Sequence, residues 1–231
     1  MKKEYDKLSK YYDMLHNEKD YKSECDYFSK VIFKNKESKK NNLLDLACGT
    51  WEHIKFLKKD FVCEWLDSSK KMIKIAKTKN PEINFYVDDM TSFKLDKKYD
   101  IITILFNSIW YLNEEQLKKT IRNAYNHLNE WGIFLIETVF IKDKFNMTEN
   151  KRTYKGKDFD IIREIWITYH MDSVILKSKY KINSVDFIEN DEQKILLFKE
   201  NDLKSYFLLE KFKVRIYHYE NNDSTIFIGI K

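Results

Sequence analysis

From Leu43 onward the chain alternates short apolar runs with stretches whose apolar residues recur at helical spacing, and no other feature constrains its fold as strongly. The spacing predicts strands over 43–47, 61–66, 83–87, 99–105 and 132–138, with helices over 51–59, 69–78 and 113–128. Strands joined through helices of this length imply a parallel sheet covered by helices on both faces. Ligands of such sheets bind beyond the carboxyl ends of the strands, where the strand order reverses. The residues just after each strand are therefore the first candidates for chemistry.

Outside this stretch the grammar changes twice. Tyr5, Leu8, Tyr12 and Leu15, then Tyr21, Cys25, Phe28 and Val31, predict two helices broken near His16 to Asp20. After Glu137, the runs Phe159 to His170, Val174 to Ile188 and Lys194 to Phe198 are rich in β-branched and aromatic residues and predict an antiparallel meander. A capped helix at Asn201 to Leu209 and strands at Lys213 to Tyr219 and Thr225 to Ile230 then close the sheet. The expected organisation is one domain: a helical cap over 1–40, a ligand-binding core over 41–152, an inserted antiparallel layer over 153–198 and a closing helix and strands over 199–231.

Composition excludes several classes. No window approaches the run of about 20 apolar residues that a membrane helix needs, and Met1 to Asp6 lacks the apolar stretch of a secretory signal. Cys25, Cys48 and Cys63 have no metal-ligand spacing, which predicts a reducing, cytoplasmic setting with no disulfide framework and no metal site. The net charge of +5 is small for a chain that is 34% charged with both signs interspersed, so nucleic acid is not the expected partner. The densest basic runs, Lys34 to Lys40 and Lys70 to Lys79, read as solvated faces.

Four strand ends carry residues suited to a nucleoside. Gly49, the one glycine among the first 131 residues, follows the first strand, where a left-handed turn or a close ligand approach requires it. Asp67 ends the second strand, where a carboxylate can accept both ribose hydroxyls, although Asp67-Ser68-Ser69 is also a good helix cap. Asp89, between Asp88 and Met90, follows the third strand with one polar and one apolar contact for a base. Leu105, Phe106, Asn107 and Ser108 end the fourth. Asp45, inside the first strand, has the plainer alternative of bonding the turn's own amides.

These residues carry a resemblance. Leu44-Asp45-Leu46-Ala47-Cys48-Gly49-Thr50, with Asp67, Asp89-Met90 and Leu105 to Trp110, resembles class I S-adenosylmethionine-dependent methyltransferases. Leu8 to Asp13, Asp20-Tyr21 and Leu197-Phe198 make the chain most similar to bacterial N-methyltransferases of nucleotide-linked amino sugars. The resemblance implies a Rossmann-like α/β sheet of seven mostly parallel strands, with the inserted layer and helical cap. It also implies cofactor contacts from Tyr12, Tyr21, Asp45, Ala47, Gly49, Asp67, Ser68, Met72, Asp89, Met90, Leu105 and Phe106. Two departures stand out: Trp51 replaces the family's usual glycine, and Trp110-Tyr111 stands where the amino-sugar enzymes often present a histidine.

The reaction expected is methyl transfer from S-adenosylmethionine, leaving S-adenosylhomocysteine, to a small-molecule amine, with alignment of the partners as the main catalytic device. Tyr111 and Glu137 are the candidate catalytic groups, and Asn107, Ser108, Trp110, Tyr111 and Arg163 the candidate acceptor contacts, Arg163 facing a nucleotide diphosphate. No metal is expected, and His170 and His218 read as ordinary strand residues. The alternatives are a glycine or other small-metabolite N- or O-methyltransferase, and a catalytically silent cofactor-binding or RNA-associated module. A homodimer through the inserted layer is also expected.

Overall fold

The computed structural model describes residues 8–50, 52–182, 187–221 and 223–231; Tyr5 and Trp51 lie outside them. In chain order the strands are β1 (Asn42–Leu46), β2 (Val62–Asp67), β3 (Phe85–Val87), β4 (Tyr99–Ile104), β5 (Leu128–Thr138), β6 (Asn150–Lys155), β7 (Asp160–Tyr169), β8 (Ser173–Ile182), β9 (Phe187–Leu196), β10 (Lys213–Tyr219) and β11 (Ser224–Ile230). The α-helices are α1 (Tyr12–Leu15), α2 (Tyr21–Asn35), α3 (Ile54–Leu57), α4 (Lys70–Lys79), α5 (Glu114–His127) and α6 (Glu200–Leu209).

Seven strands form one sheet in the order β10-β11-β5-β4-β1-β2-β3. The first five strands of the chain pair in parallel, while β11 runs antiparallel to β5 and β10 antiparallel to β11. Every residue of β4 and β11 is buried, as expected where helices cover both faces of a sheet. The chain moves outward from β1 through β2 to β3, then returns to place β4 on the other side of β1. That reversal opens a crevice above the ends of β1 and β4.

The seven-stranded sheet, the inserted layer and the helical cap are as the sequence implied, and the differences are local. The helix expected over 51–59 contracts to α3, because the chain must turn at once to bring Val62 beside Asn41, whose carbonyl accepts the Val62 amide at 2.9 Å. β5 begins at Leu128, four residues before the expected start at 132, and pairs with β4 through a register shift next to Trp131, whose φ is +64°. The last helix starts at Glu200, and Lys199, in the N-cap position, gives it no side-chain cap.

The antiparallel layer is a four-stranded sheet in the order β6-β7-β8-β9. The single run expected from Val174 to Ile188 divides between β8 and the start of β9, and Lys194–Leu196 is the end of β9. β6 had no apolar signature: Asn-Lys-Arg-Thr-Tyr-Lys buries only Tyr154. Neighbouring contacts close the neck of the insertion, where Ile141 bridges Phe198 and the Lys142 amide bonds the Phe198 carbonyl at 2.9 Å. Leu8, Tyr11 and Leu15 of the cap pack on Tyr154, Ile161, Tyr180 and Ile182 of the layer. Cap and layer thereby form a roof over the crevice. No helix of the described residues is long and apolar enough to cross a membrane.

Candidate active site

The turn after β1 is held by its neighbour. Ala47 and Gly49 both take left-handed backbone, with φ of +58° and +59°. A Cβ on Gly49 would meet nothing closer than Tyr12 at 3.9 Å, so conformation is what requires glycine there. Asp67, at the end of β2, accepts the Gly49 amide at 2.9 Å on one carboxylate oxygen and the Ser69 amide at 2.8 Å on the other. Its carboxyl is 4% exposed; burial raises its pKa, and the two amide donors oppose that rise.

A comparable turn follows β4 without any glycine. Phe106 and Asn107 take φ of +52° and +60°, conformations costing on the order of 1 kcal/mol or more for ordinary residues. Glu137 of β5 accepts the Asn107 amide at 3.2 Å, and the Asn107 side-chain oxygen accepts the Val139 amide at 2.5 Å. The Ser108 hydroxyl donates to the Leu105 carbonyl at 2.9 Å. Two strand ends thus present their turns to one crevice.

Above them lies a cavity of about 660 Å³, flanked by two clefts of about 30 Å³ each. Ala47 lines all three spaces. The first cleft holds Tyr12, Tyr21, Asp45, Gly49, Leu105 and Phe106, and the second Ser68, Asp89, Met90 and Tyr111. Gly49, Asp67, Ser68, Met72 and Tyr12 reach the main cavity together with Asn107, Ser108, Trp110, Tyr111 and Arg163. Every expected cofactor and acceptor residue therefore borders these three joined spaces.

Glu137, expected at the acceptor, is the exception. It is 1% exposed and lines none of the three spaces, because β5 runs beneath the Phe106–Asn107 turn and delivers the carboxylate to its amide. Burial, and then the negative charge of Glu24, push its pKa up to about 7. Asp45 is similarly enclosed: its carboxyl accepts the Thr103 hydroxyl of β4 at 2.5 Å, and burial pushes it up to about 8 against that bond. Asp89 accepts the Thr91 amide and hydroxyl at 2.8 and 2.6 Å, so it caps its own turn while bordering the second cleft.

Several side chains of the site had no signal in the sequence. His16, in the break between α1 and α2, lines the main cavity and stands edge-on to Phe106 at 4.9 Å, with Tyr12 at 4.6 Å. Burial, then the charges of Arg163 and Lys19, pull its imidazole down to about 3, which keeps it neutral near pH 7. His53 faces Tyr21 at 4.9 Å and meets the buried Glu24 at 3.4 Å, while Lys19 pairs with Glu24 from the other side. Burial lowers His53 despite Glu24. It would raise Glu24, but the bonds from His53 and Lys19 hold that carboxyl below its ordinary value. This cluster ties the cap to the Gly49 turn. Only tertiary packing assembles it.

Two buried polar atoms test what the spaces can hold. The Ser68 hydroxyl and the Trp110 indole N–H have no hydrogen-bond partner among the described residues, and both residues line the main cavity. Such groups suit a ligand with donors and acceptors of its own. Arg163 of β7 lies over the Tyr180 ring at 5.5 Å and gives the far wall a positive charge. Among the described residues no group of three His, Cys, Asp or Glu is arranged to hold a metal ion.

Known proteins share parts of this sequence and fold. The family described as a methyltransferase domain matches residues 43–132. A dTDP-3-amino-3,6-dideoxy-alpha-D-glucopyranose N,N-dimethyltransferase of Streptomyces fradiae is 28% identical over 142 residues, covering 60% of this chain and 55% of that protein. The chain spans about half the length of the curated relatives it matches. Among solved structures, DesVI of Streptomyces venezuelae superposes with a TM-score of 0.85 at 20% identity, over 94% of each chain. A SAM-bound amino pentose methyltransferase of Micromonospora echinaspora superposes with a TM-score of 0.80 at 17% identity, over 92% of each. The matched segment 43–132 holds both Gly49 and Asp67, the hydrogen-bonded pair at the ends of β1 and β2.

Proposed function

We propose that the protein is an S-adenosylmethionine-dependent methyltransferase whose acceptor is an amine on a nucleotide-linked sugar. One observation carries this reading: the Gly49–Asp67 cradle and the cationic wall at Arg163 open into the same cavity. The similarity to a dTDP-amino-sugar dimethyltransferase supports the acceptor class.

When bound, the cofactor supplies an electrophilic methyl group on a sulfonium leaving group. Asp67 keeps lone pairs for the ribose hydroxyls after taking its two backbone amides, and Ser68, Met72, Asp89 and Met90 frame the adenosine. Tyr12, Tyr21 and Phe106 line the cleft that would take the methionine end, with Lys19 already over the Phe106 and Tyr21 rings. Asp45, Ala47 and Leu105 complete that wall. Asn107 and Ser108 hold the floor, and Trp110 offers its indole N–H to the acceptor. Tyr111, bordering both the cavity and the adenosine cleft, is the group best placed to orient the amine. Glu137 acts from beneath as a positioning residue. Arg163 meets the diphosphate.

Calorimetry with S-adenosylmethionine and S-adenosylhomocysteine tests the cofactor, and heat from neither removes the reading. Methyl transfer to a panel of dTDP-amino sugars, glycine and tRNA tests the acceptor; turnover of glycine or tRNA alone replaces the amino sugar. The same proposal includes a cytoplasmic setting, supported by three unpaired cysteines, and a homodimer through the antiparallel layer, supported by exposed Trp166, Tyr169 and Met171. A monomeric mass by sedimentation overturns the dimer.

A further inference from the structure

At the opposite end of the sheet, where Lys213 pairs with Ile230 and Ile230 with Ile133, the structure has a second concavity of about 270 Å³. Lys34, Lys36, Lys211, Lys213, Arg215 and Lys231 contribute to its walls, and Glu37 is the one carboxylate among its lining residues. Folding assembles this charge from the end of α2, the start of β10 and the end of β11. The sequence had marked only the Lys34 end of it.

Some cations elsewhere on the surface are paired. Lys22, Lys59, Lys118, Lys142 and Lys155 all meet carboxylates. Among the described residues, no ion pair joins any of the six to an acid. Their contacts are neutral instead: Lys36 bonds the Ser38 carbonyl and Asn41, Lys231 the Tyr125 and Leu128 carbonyls, and Arg215 the Asn35 amide oxygen at 2.8 Å. Nearby Asp100 is buried and takes donors from Ser38, Asn42 and Asn129, while Glu130 acts on Lys231. A hollow in which six basic side chains outnumber the acids Glu37, Asp100 and Glu130 attracts a multiply charged anion.

The same wall carries Trp131, 57% exposed and held at a left-handed φ of +64° that a bulky aromatic rarely adopts. An open indole beside a cationic hollow combines a stacking face with phosphate contacts. We propose that this basic concavity binds a nucleotide, with its phosphates on Lys211, Lys213 and Arg215 and its base stacked on Trp131. The ligand is either a free nucleotide or a unit of single-stranded RNA, which share that chemistry. The proposal does not depend on the methyltransferase reading.

The test titrates fluorescently labelled adenosine diphosphate and oligoadenylate RNA with the protein by polarisation, S-adenosylhomocysteine being present in excess so that a competing adenosine cleft is filled. Wild-type protein is expected to bind, with Trp131→Ala weakening affinity about tenfold through lost stacking. Lys211→Glu/Lys213→Glu should flatten the salt dependence of RNA affinity by about 0.7 per cation removed. RNA binding far above that of the diphosphate identifies a strand, and comparable affinities identify a free nucleotide. Absence of binding by both, or equal affinity in the wild type and both variants, overturns the proposal. All three altered side chains are exposed, and circular dichroism together with Lys213→Gln checks that the fold persists. Calorimetry with S-adenosylhomocysteine reads the other site separately.

Discussion

The two turns that floor the cavity solve one problem in different ways. In each, a left-handed strand end donates a backbone N–H to a carboxylate delivered by the adjacent strand: Gly49 to Asp67, and Asn107 to Glu137. The first turn uses a glycine, and its carboxylate faces the cavity. The second uses Phe106 and Asn107, and its carboxylate is sealed beneath. Both carboxylates fix a neighbouring turn, but only Asp67 also borders the cavity, and under the proposed function that access is what lets it reach a ligand.

Substitutions can break or sharpen this contrast. The largest effect is expected for Asp67→Ala, which removes charge-assisted bonds worth about 1.5–3 kcal/mol each and should weaken S-adenosylhomocysteine about 100-fold by calorimetry. Glu137→Ala should instead act on stability, since the half-buried Asn107 amide loses its acceptor at a cost of about 1 kcal/mol, read by chemical denaturation. If Glu137→Ala abolished cofactor uptake in a protein that is still folded, the division of labour would be wrong. Gly49→Ala should cost about 1 kcal/mol through its backbone alone, because a Cβ there clears Tyr12.

The pH dependence of stability gives a separate test, in which the sign is decisive. Glu137 holds its proton more tightly when folded, so its contribution is complete below about pH 4.3 and is lost as pH rises through about 7. His16 is the reverse. Its imidazole is lowered to about 3, so stability falls as pH drops from about 6.5 toward that value. Thermal melts of Glu137→Gln and His16→Phe across this range should each flatten one limb: the first above pH 4.3, the second below pH 6.5. A wild-type slope retained on both limbs would show that neither group titrates as described.

The sequence was most legible where structure is local and repetitive. Apolar strands ending in Gly49, Asp67, Asp89 and Phe106 announced both the sheet and its crevice, because each signal lay within a few residues. The four-stranded layer was only partly legible. β6 buries one side chain, and the run read over 174–188 joined β8 to the start of β9, while the end of β9 read as a separate run. His16, Glu24 and His53 were invisible for another reason: their meaning comes from contacts across the cap, the Gly49 turn and Phe106. Glu137 was visible at its strand end, but only the crossing of β5 beneath Asn107 shows that it faces inward.

The roof of the cavity has a consequence for how such a protein diversifies. Phe140, Leu176, Tyr180 and Arg163 belong to the layer or its approach, whereas Gly49, Asp67 and Met72 belong to the central sheet and its helices. Exchanging side chains on the first group reshapes one wall and leaves the Gly49–Asp67 hydrogen bond untouched. Under the proposed function, the acceptor wall can thus vary on one sheet while the cofactor turn stays fixed on the other.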